Sequence, residues 1–472
     1  MKRRNFFKNG IMATVGLSVL GSRPILAKPE QYKGEKAKNI IFLVSDGMST
    51  GTLNMTDILT RQKLGKVSNW ISLYESGKVR RSLMDTASAN SFVTDSAAAG
   101  SSWGCGHRVN NGSLNIGANG ENFEPILQKF KSEGKAVGFV TSVQVTHATP
   151  ASFCVNQSSR NAMPMIAEDY LKLGFDVMMG GGREFFDPAK RPDGKNLFSE
   201  FTNRGFQVVN NKEEMLSANR GKPLLGVFTD DGLPYAIDRE NDPNLKKSIP
   251  SLAEMTKKAI DLLSQNKKGF VMQVEGGKVD WAAHGNDASA ILYDQIDFDD
   301  AVGVAMDFAL KDKNTLIIIT SDHGNANPGM FNPGVKNVHF ESLFESKASN
   351  QWILQQVKTN TSVSQLIELV DHYQNVALEK EEANVLLKNF TINDDGLYNP
   401  DKLPMEMFGK ILSKHNAVSW AHSNHSADYV ELAAYGPGSD AIGGFVKNYE
   451  LHNFMLEAAG IARDKFAQLQ EV

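Results

Sequence analysis

The feature that most limits how this chain can fold is a set of five short runs that are apolar almost throughout. They are Asn39–Val44 (NIIFLV), Ala136–Thr141 (AVGFVT), Gly269–Val274 (GFVMQV), Thr315–Thr320 (TLIIIT) and Tyr429–Tyr435 (YVELAAY). A strand with one wet face alternates apolar and polar residues, whereas runs without that alternation are covered on both faces. Between and after them lie helical patterns at Glu121–Glu133, Met163–Leu173, Ser251–Ser264, Ala288–Leu310 and Tyr449–Gln468. Strand alternating with helix predicts an α/β fold with a large, mostly parallel central sheet and helices on both faces. The 472 residues suffice for one such sheet carrying insertions. Gly180–Gly182 comes after the run Phe175–Met179 but lacks the Gly-Lys-Ser/Thr ending of a P-loop, so it reads as a tight turn.

Two segments stand outside this rhythm. From Asn325 to Trp420 there is no strong strand pattern, only helical stretches at Ser362–Asn375 and Glu379–Leu387 and the polar Asn393–Gly396. Residues 326–418 therefore read as a cap or crown inserted before the last strand, within a catalytic domain of residues 28–472. The first residues, MKRRNFFK, precede the apolar Gly10–Gly21 and a small residue at Ala27. That order is a signal peptide over residues 1–27, and Arg3–Arg4 with Phe6 and Phe7 behind them fits the twin-arginine type. The run is too short for a stable anchor, so the mature chain is expected in the periplasm or outside the cell, with no membrane anchor. A formal net charge of −4 gives no basic field for nucleic acid. Two cysteines, Cys105 and Cys154, make neither a disulfide framework nor a Cys-rich zinc site, so any metal must be held by His and carboxylates.

The residues at the strand ends carry the chemistry. The first run ends in Ser45-Asp46-Gly47, the second leads to His147-Ala148-Thr149, the third ends in Glu275, and the fourth ends in Ser321-Asp322-His323. Binding sites of open parallel sheets lie beyond the carboxyl ends of the strands, so these residues converge on one rim. Buried charge is costly unless paired or bound to metal, which favours ligand roles for Asp322, His323 and Asp46. Asp280 and His284 are four apart and share a helix face, a spacing that suits a metal or an ordinary structural pair equally. His422 and His425 precede the last strand, and at least one is expected at the rim. Ser96 comes directly after Asp95 and opens an Ala-rich stretch; alone, that is most often a helix cap. A helix N-terminus also attracts anions, which suits a phosphoryl acceptor. The set Asp46, Glu275, Asp280, His284, Asp322, His323 and His425 has the composition of a zinc site with a harder ion such as magnesium beside it. Two such ions clamp an in-line phosphoryl displacement and activate a serine with no histidine base.

The segments DGM, TDSAA, HATPA, VEGGKVDWAAH, SDHG and H–SADYVELAAYGPG, in this order, resemble the alkaline phosphatase family over most of the chain outside the insertion. The resemblance implies hydrolysis of small phosphate monoesters at alkaline pH, with two Zn2+ and one Mg2+ as cofactors. It implies that Ser96 is the nucleophile and becomes phosphoserine, and that Arg160 clamps the phosphoryl oxygens. Asp280, His284 and His425 match the first zinc site; Asp46, Asp322 and His323 match the second, with Asp46 bridging to magnesium. Thr149 and Glu275 match the other magnesium ligands. His147 and Trp281 occupy two variable positions in the phosphate environment, where the better-known bacterial pattern has Asp and Lys, and this pair resembles a bacterial subgroup. The glycines at 100, 104 and 106 are expected to loosen the helix after Ser96. The family is usually homodimeric, with the insertion near the interface. A phosphodiesterase of the same fold usually has a Thr nucleophile and no third metal. A sulfatase needs a C/S-x-P-x-R context that Cys105–Arg108 lacks. A phosphoglycerate mutase relative would be cytosolic, and a noncatalytic phosphate- or metal-binding protein would have lost Ser96, Arg160 or a ligand.

Overall fold

The computed structural model describes residue 32 and residues 34–331, 337–462 and 465. The predicted signal peptide lies outside the described residues, as does the end of the predicted Tyr449–Gln468 helix, whose described part is Glu450–Ala458. The strands in chain order are β1 Asn39–Ser45, β2 Arg80–Met84, β3 Ala136–Gln144, β4 Val177–Gly181, β5 Gln207–Val209 and β6 Leu224–Val227. They continue with β7 Phe270–Gly276, β8 Thr315–Thr320, β9 Gly324–Asn325, β10 His425–Ser426, β11 Val430–Tyr435 and β12 Phe445–Val446. Ten of these form one sheet in the order β12-β2-β11-β8-β1-β7-β3-β4-β6-β5. Every pairing within it is parallel except those of β11 with β8 and β2.

The five apolar runs are the middle of this sheet, where both faces are covered. Along β1, Ile40, Phe42 and Val44 enter one hydrophobic cluster while Ile41 and Leu43 enter the cluster on the opposite face. Along β8, Leu316 and Ile318 share the first cluster and Ile317 and Ile319 the second. Successive side chains of a strand point to opposite faces, so an unbroken apolar run needs a core on each side. The flanking strands escaped the apolar criterion because they are short or wet: β2 reads RRSLM, with Arg81 and Leu83 exposed. Gly180 and Gly181 complete β4, and only Gly182, at φ 94, makes the turn.

Helices at Asn350–Gln356, Val363–Gln374, Lys380–Lys388 and Met405–Asn416 pack around a third, separate hydrophobic cluster built on Leu354, Leu366, Leu386 and Phe408. The two ends of this segment meet: Gly329 and Ser419 exchange backbone hydrogen bonds of 3.0 and 2.9 Å. Beyond them, β9 pairs with β10 and sets Asn325 opposite His425. Among the described residues no helix is long and apolar enough to cross a membrane. Cys105 and Cys154 are buried free thiols.

The expectation that glycines loosen the helix after Ser96 is corrected. A Cβ on Gly100 would lie 2.3 Å from the Ser152 Oγ, and one on Gly104 would lie 2.3 Å from the Ser152 carbonyl oxygen. These glycines let helix Ser96–Cys105 lie directly on helix Ala148–Ser152, so they tighten the joint. Gly106 is the left-handed residue that ends the first helix, at φ 83.

Candidate active site

The sheet register sets the site. Val44 pairs with Glu275 on one side and Thr320 on the other, so the residues after β1, β7 and β8 emerge side by side. Asp46, Glu275, Asp322 and His323 are all buried there. Ser96 is the first residue of its helix, and Asp95 is the N-cap, accepting from the Ala98 amide at 3.0 Å. The cap and the candidate nucleophile are therefore neighbours rather than alternatives. The Ser96 Oγ sits 3.4 Å from the His323 Nε2, which is 3.1 Å from Asp322 and 3.6 Å from Asp46.

Three groups of side chains bring candidate ligand atoms together: Asp280, His323 and His425; Asp46, Asp322 and His323; and Asp46, His147 and Glu275. His284 adjoins the first group, with its Nε2 3.4 Å from Asp280 and 3.2 Å from the His425 Nε2. Each of these two imidazoles meets a backbone carbonyl through Nδ1: Ser423 at 2.7 Å and Thr94 at 2.8 Å. A carbonyl only accepts, so the proton of each neutral ring sits on Nδ1. Two Nε2 lone pairs then face each other across 3.2 Å, with Asp280 beside them. With both rings neutral, nothing there donates a proton between them, and a cation satisfies the arrangement.

In the third group the Thr149 hydroxyl donates to Asp46 at 3.2 Å, and the Thr141 hydroxyl donates to Glu275. The His147 Nδ1 is 3.4 Å from Glu275 and 4.0 Å from Asp46, so this residue reaches the third group. Its Nε2 lies 3.2 Å from Arg160, whose other guanidinium nitrogen holds Asp95 at 3.0 Å. Arg160 is thus anchored to the residue before Ser96. The Trp281 ring stands edge-on to the His147 ring, with centroids 6.4 Å apart. His422 is exposed and pairs with Asn424, leaving His425 as the member of that pair that reaches the rim.

Burial and charge crowding perturb several carboxyls and imidazoles here. Burial, and then the charges of Asp322, Asp280 and Glu275, pushes the Asp46 carboxyl well above its ordinary range. Burial acts on Asp280 in the same sense, but His284, His323 and His425 outweigh it and hold this carboxyl low. Burial, with His323 next, pushes the His425 imidazole down to about 4. His284 and His323 are raised, because Asp280 and Asp322 outweigh burial at those rings. Among the described residues Asp46 Oδ1, Glu275 Oε1, Asp322 Oδ2, His147 Nδ1 and His323 Nδ1 are buried without a hydrogen-bond partner. Buried polar atoms are nearly always satisfied, so this concentration of unpaired polar atoms, three of them carboxylate oxygens, fits bound divalent cations.

Several residues of the site carry no sequence signal. The Asn325 amide donates to the Asp280 carboxylate at 2.7 Å and fixes its orientation. The Gly47 amide does the same for Asp322 at 2.9 Å. Thr141 lies inside an apolar run and looks like any strand residue, yet its hydroxyl holds Glu275. The carbonyls of Thr94 and Ser423 are backbone atoms that no side-chain pattern announces.

Comparison with known proteins agrees with this geometry. A family model described as alkaline phosphatase matches residues 37–461. Alkaline phosphatase 4 of Bacillus subtilis is 30% identical over 97% of this chain and 99% of its own length. Alkaline phosphatase 3 of the same organism is 31% identical over 95% of each chain. The crystal structure of Thermus thermophilus alkaline phosphatase superposes with a TM-score of 0.83 at 33% identity, covering 95% of this chain and 96% of that one. With residues 37–461 matched and two relatives aligned almost end to end, the chain belongs to the alkaline phosphatase family, the metal-dependent enzymes that hydrolyse phosphate monoesters.

Proposed function

We propose that this enzyme hydrolyses phosphate monoesters at alkaline pH through a phosphoserine formed on Ser96. The observation that carries the proposal is the placement of the Ser96 Oγ, 3.4 Å from the His323 Nε2 at the edge of a cluster of orphaned acceptors. Asp280, His284 and His425 would hold one zinc ion, and Asp46, Asp322 and His323 a second. Asp46, Glu275 and Thr149 would hold magnesium, with His147 beside them. Bound there, the cations supply the positive charge that lowers the pKa of the serine hydroxyl and steadies the departing ester oxygen.

The protein's own residues do the rest. Ser96 is the first residue of its helix, where the positive end of the helix dipole favours the incoming phosphoryl group. Arg160 presents a planar fork already fixed by Asp95 and His147, suited to two phosphoryl oxygens. The serine oxygen forms a bond to phosphorus as the ester oxygen leaves, and a water then displaces the serine and releases inorganic phosphate. Only the phosphoryl group is gripped in this scheme, so substrates would be small phosphate monoesters of varied alcohols. We further propose that residues 326–418 form a crown on the catalytic unit and that two chains associate near it. Export through the twin-arginine signal would place the enzyme in the periplasm or outside the cell.

Purified enzyme should release p-nitrophenol from p-nitrophenyl phosphate at alkaline pH, and EDTA should abolish this. Metal analysis of the active protein should find zinc and magnesium near two to one. Equal turnover of bis-p-nitrophenyl phosphate would replace the monoesterase by a diesterase.

A further inference from the structure

Lys278 opens the helix Lys278–His284, two residues before Asp280, and is buried. Its ammonium lies 3.8 Å from the centroid of the Tyr235 ring and 4.4 Å from that of the Trp281 ring. Among the described residues its Nζ donates no hydrogen bond and makes no ion pair; burial disfavours its charge, and Asp294, Asp231, Asp238 and Asp287 favour it through space. A desolvated cation between two aromatic faces is attracted to both. The loop on the other side of Trp281 leaves no slack: a Cβ on Gly232 would fall 2.9 Å from the indole. The indole in turn stands against the His147 ring, and His147 meets Arg160 at 3.2 Å. Tyr235, Lys278, Trp281, His147 and Arg160 thus form one continuous row from the interior to the phosphate clamp.

We propose that Lys278 is a positioning residue: its buried ammonium pins Trp281, which holds His147 and, through it, sets the guanidinium of Arg160 for phosphate. The role rests on the phosphate-hydrolysing reading given above, and it specifies which interior residue tunes phosphate affinity. Among the described residues the Lys278 ammonium meets the Tyr235 and Trp281 rings and none of the groups assigned to the cations. Its charge instead fixes an indole for which, among the described residues, no hydrogen bond holds the ring. Such a contact acts on ground state and transition state alike, so its loss alters KM and phosphate affinity rather than the chemical step.

The test compares wild type, Lys278→Met, Lys278→Arg, Trp281→Phe and the double variant Lys278→Met/Trp281→Phe, each metal-loaded. The measurements are kcat and KM for p-nitrophenyl phosphate, the Kd of inorganic phosphate by calorimetry, and Tm. Lys278→Met should raise KM and the phosphate Kd by about 3- to 30-fold, the size of a buried cation–aromatic contact, with kcat held or raised. Lys278→Arg should restore most of the affinity. The double variant should be no weaker than the worse single one, because both changes break the same row. A lower Tm with unchanged phosphate Kd in Lys278→Met would reduce Lys278 to a core residue and overturn the proposal, as would full additivity in the double variant. If Lys278→Met does not fold, Tyr235→Leu removes the other aromatic face and should give the same loss of phosphate affinity; unchanged affinity there overturns the proposal too. A wild-type enzyme that binds phosphate in a Lys278-dependent way but turns over no monoester would instead refute the hydrolytic reading and leave the role of Lys278 standing.

Discussion

Two clusters of buried acidic side chains are treated differently by the protein. On the long helix Ala288–Asp312, Asp297 accepts from the Arg239 guanidinium at 3.1 and 3.2 Å and from the Leu252 amide at 3.2 Å. Asp299 accepts from the amides of Asn69 and Trp70 at 2.6 and 2.8 Å. Asp287, capping the same helix, accepts from Ala290 and Asn350 at 2.9 and 2.6 Å. At the strand ends, Asp46, Glu275 and Asp322 each keep a buried oxygen with no donor. Burial alone therefore does not mark function, since both places bury carboxylates. What separates them is whether the protein supplies the partner. The helix cluster is finished by protein atoms and holds elements together, while the rim is left for something the chain itself does not provide.

Four substitutions put this contrast at risk. The largest effect belongs to Ser96→Ala, which should lower turnover of p-nitrophenyl phosphate on the order of 10^4-fold or more. Zinc content and Tm should stay at wild-type values, and retained activity would remove Ser96 from the chemistry. Next, Asp297→Ala should cost about 3–5 kcal/mol in denaturant unfolding by stranding buried Arg239. Its kcat should be unchanged once folded, and a specific loss of kcat would join the helix cluster to the site.

Asp46→Asn should act in opposite senses in the two metal states. In metal-free protein at pH 8 it should stabilise, because it removes a carboxylate that burial and three like charges disfavour. In metal-loaded protein it should destabilise and inactivate. Thermal melts with and without EDTA check this, and a loss of stability in both states would mean the rim is finished without cations. The smallest effect is a pH dependence at Asp299. Burial raises this carboxyl to about 6, so the folded state binds its proton more tightly than the unfolded chain does. Stability from this group is then present at low pH and falls as pH rises from about 4 to about 6. Asp299→Asn should flatten that slope by up to about 2 kcal/mol, read as the wild-type minus variant difference in urea midpoints at pH 4 and 7.

The rim was legible in the sequence because its residues sit directly after apolar runs, and a strand buried on both faces must deliver its next residue to an edge. Asp46, Glu275, Asp322 and His323 are all of this kind. Asp280 and His284 were legible by helical spacing, and the spacing is realised on Lys278–His284. The direction of β11 was not legible, since YVELAAY is equally apolar whichever way it runs. Nor were Asn325, Thr141 and the carbonyls of Thr94 and Ser423, because their partners lie far away in the chain and their residue types are common everywhere. The glycines after Ser96 misled for a related reason: a missing side chain reads as slack until the neighbour that fills its place is known.

That neighbour is helix Ala148–Ser152, which also carries Thr149. Where Gly100 and Gly104 have only hydrogen, the first helix touches the side chain and the backbone carbonyl of Ser152. Ser96 at one end of the contact and Thr149 at the other are thereby held at a fixed separation by the packing. Two missing methyl groups act as a ruler between the serine and the hydroxyl that holds Asp46, and a substitution that widened the gap would shift one against the other with every polar residue still in place.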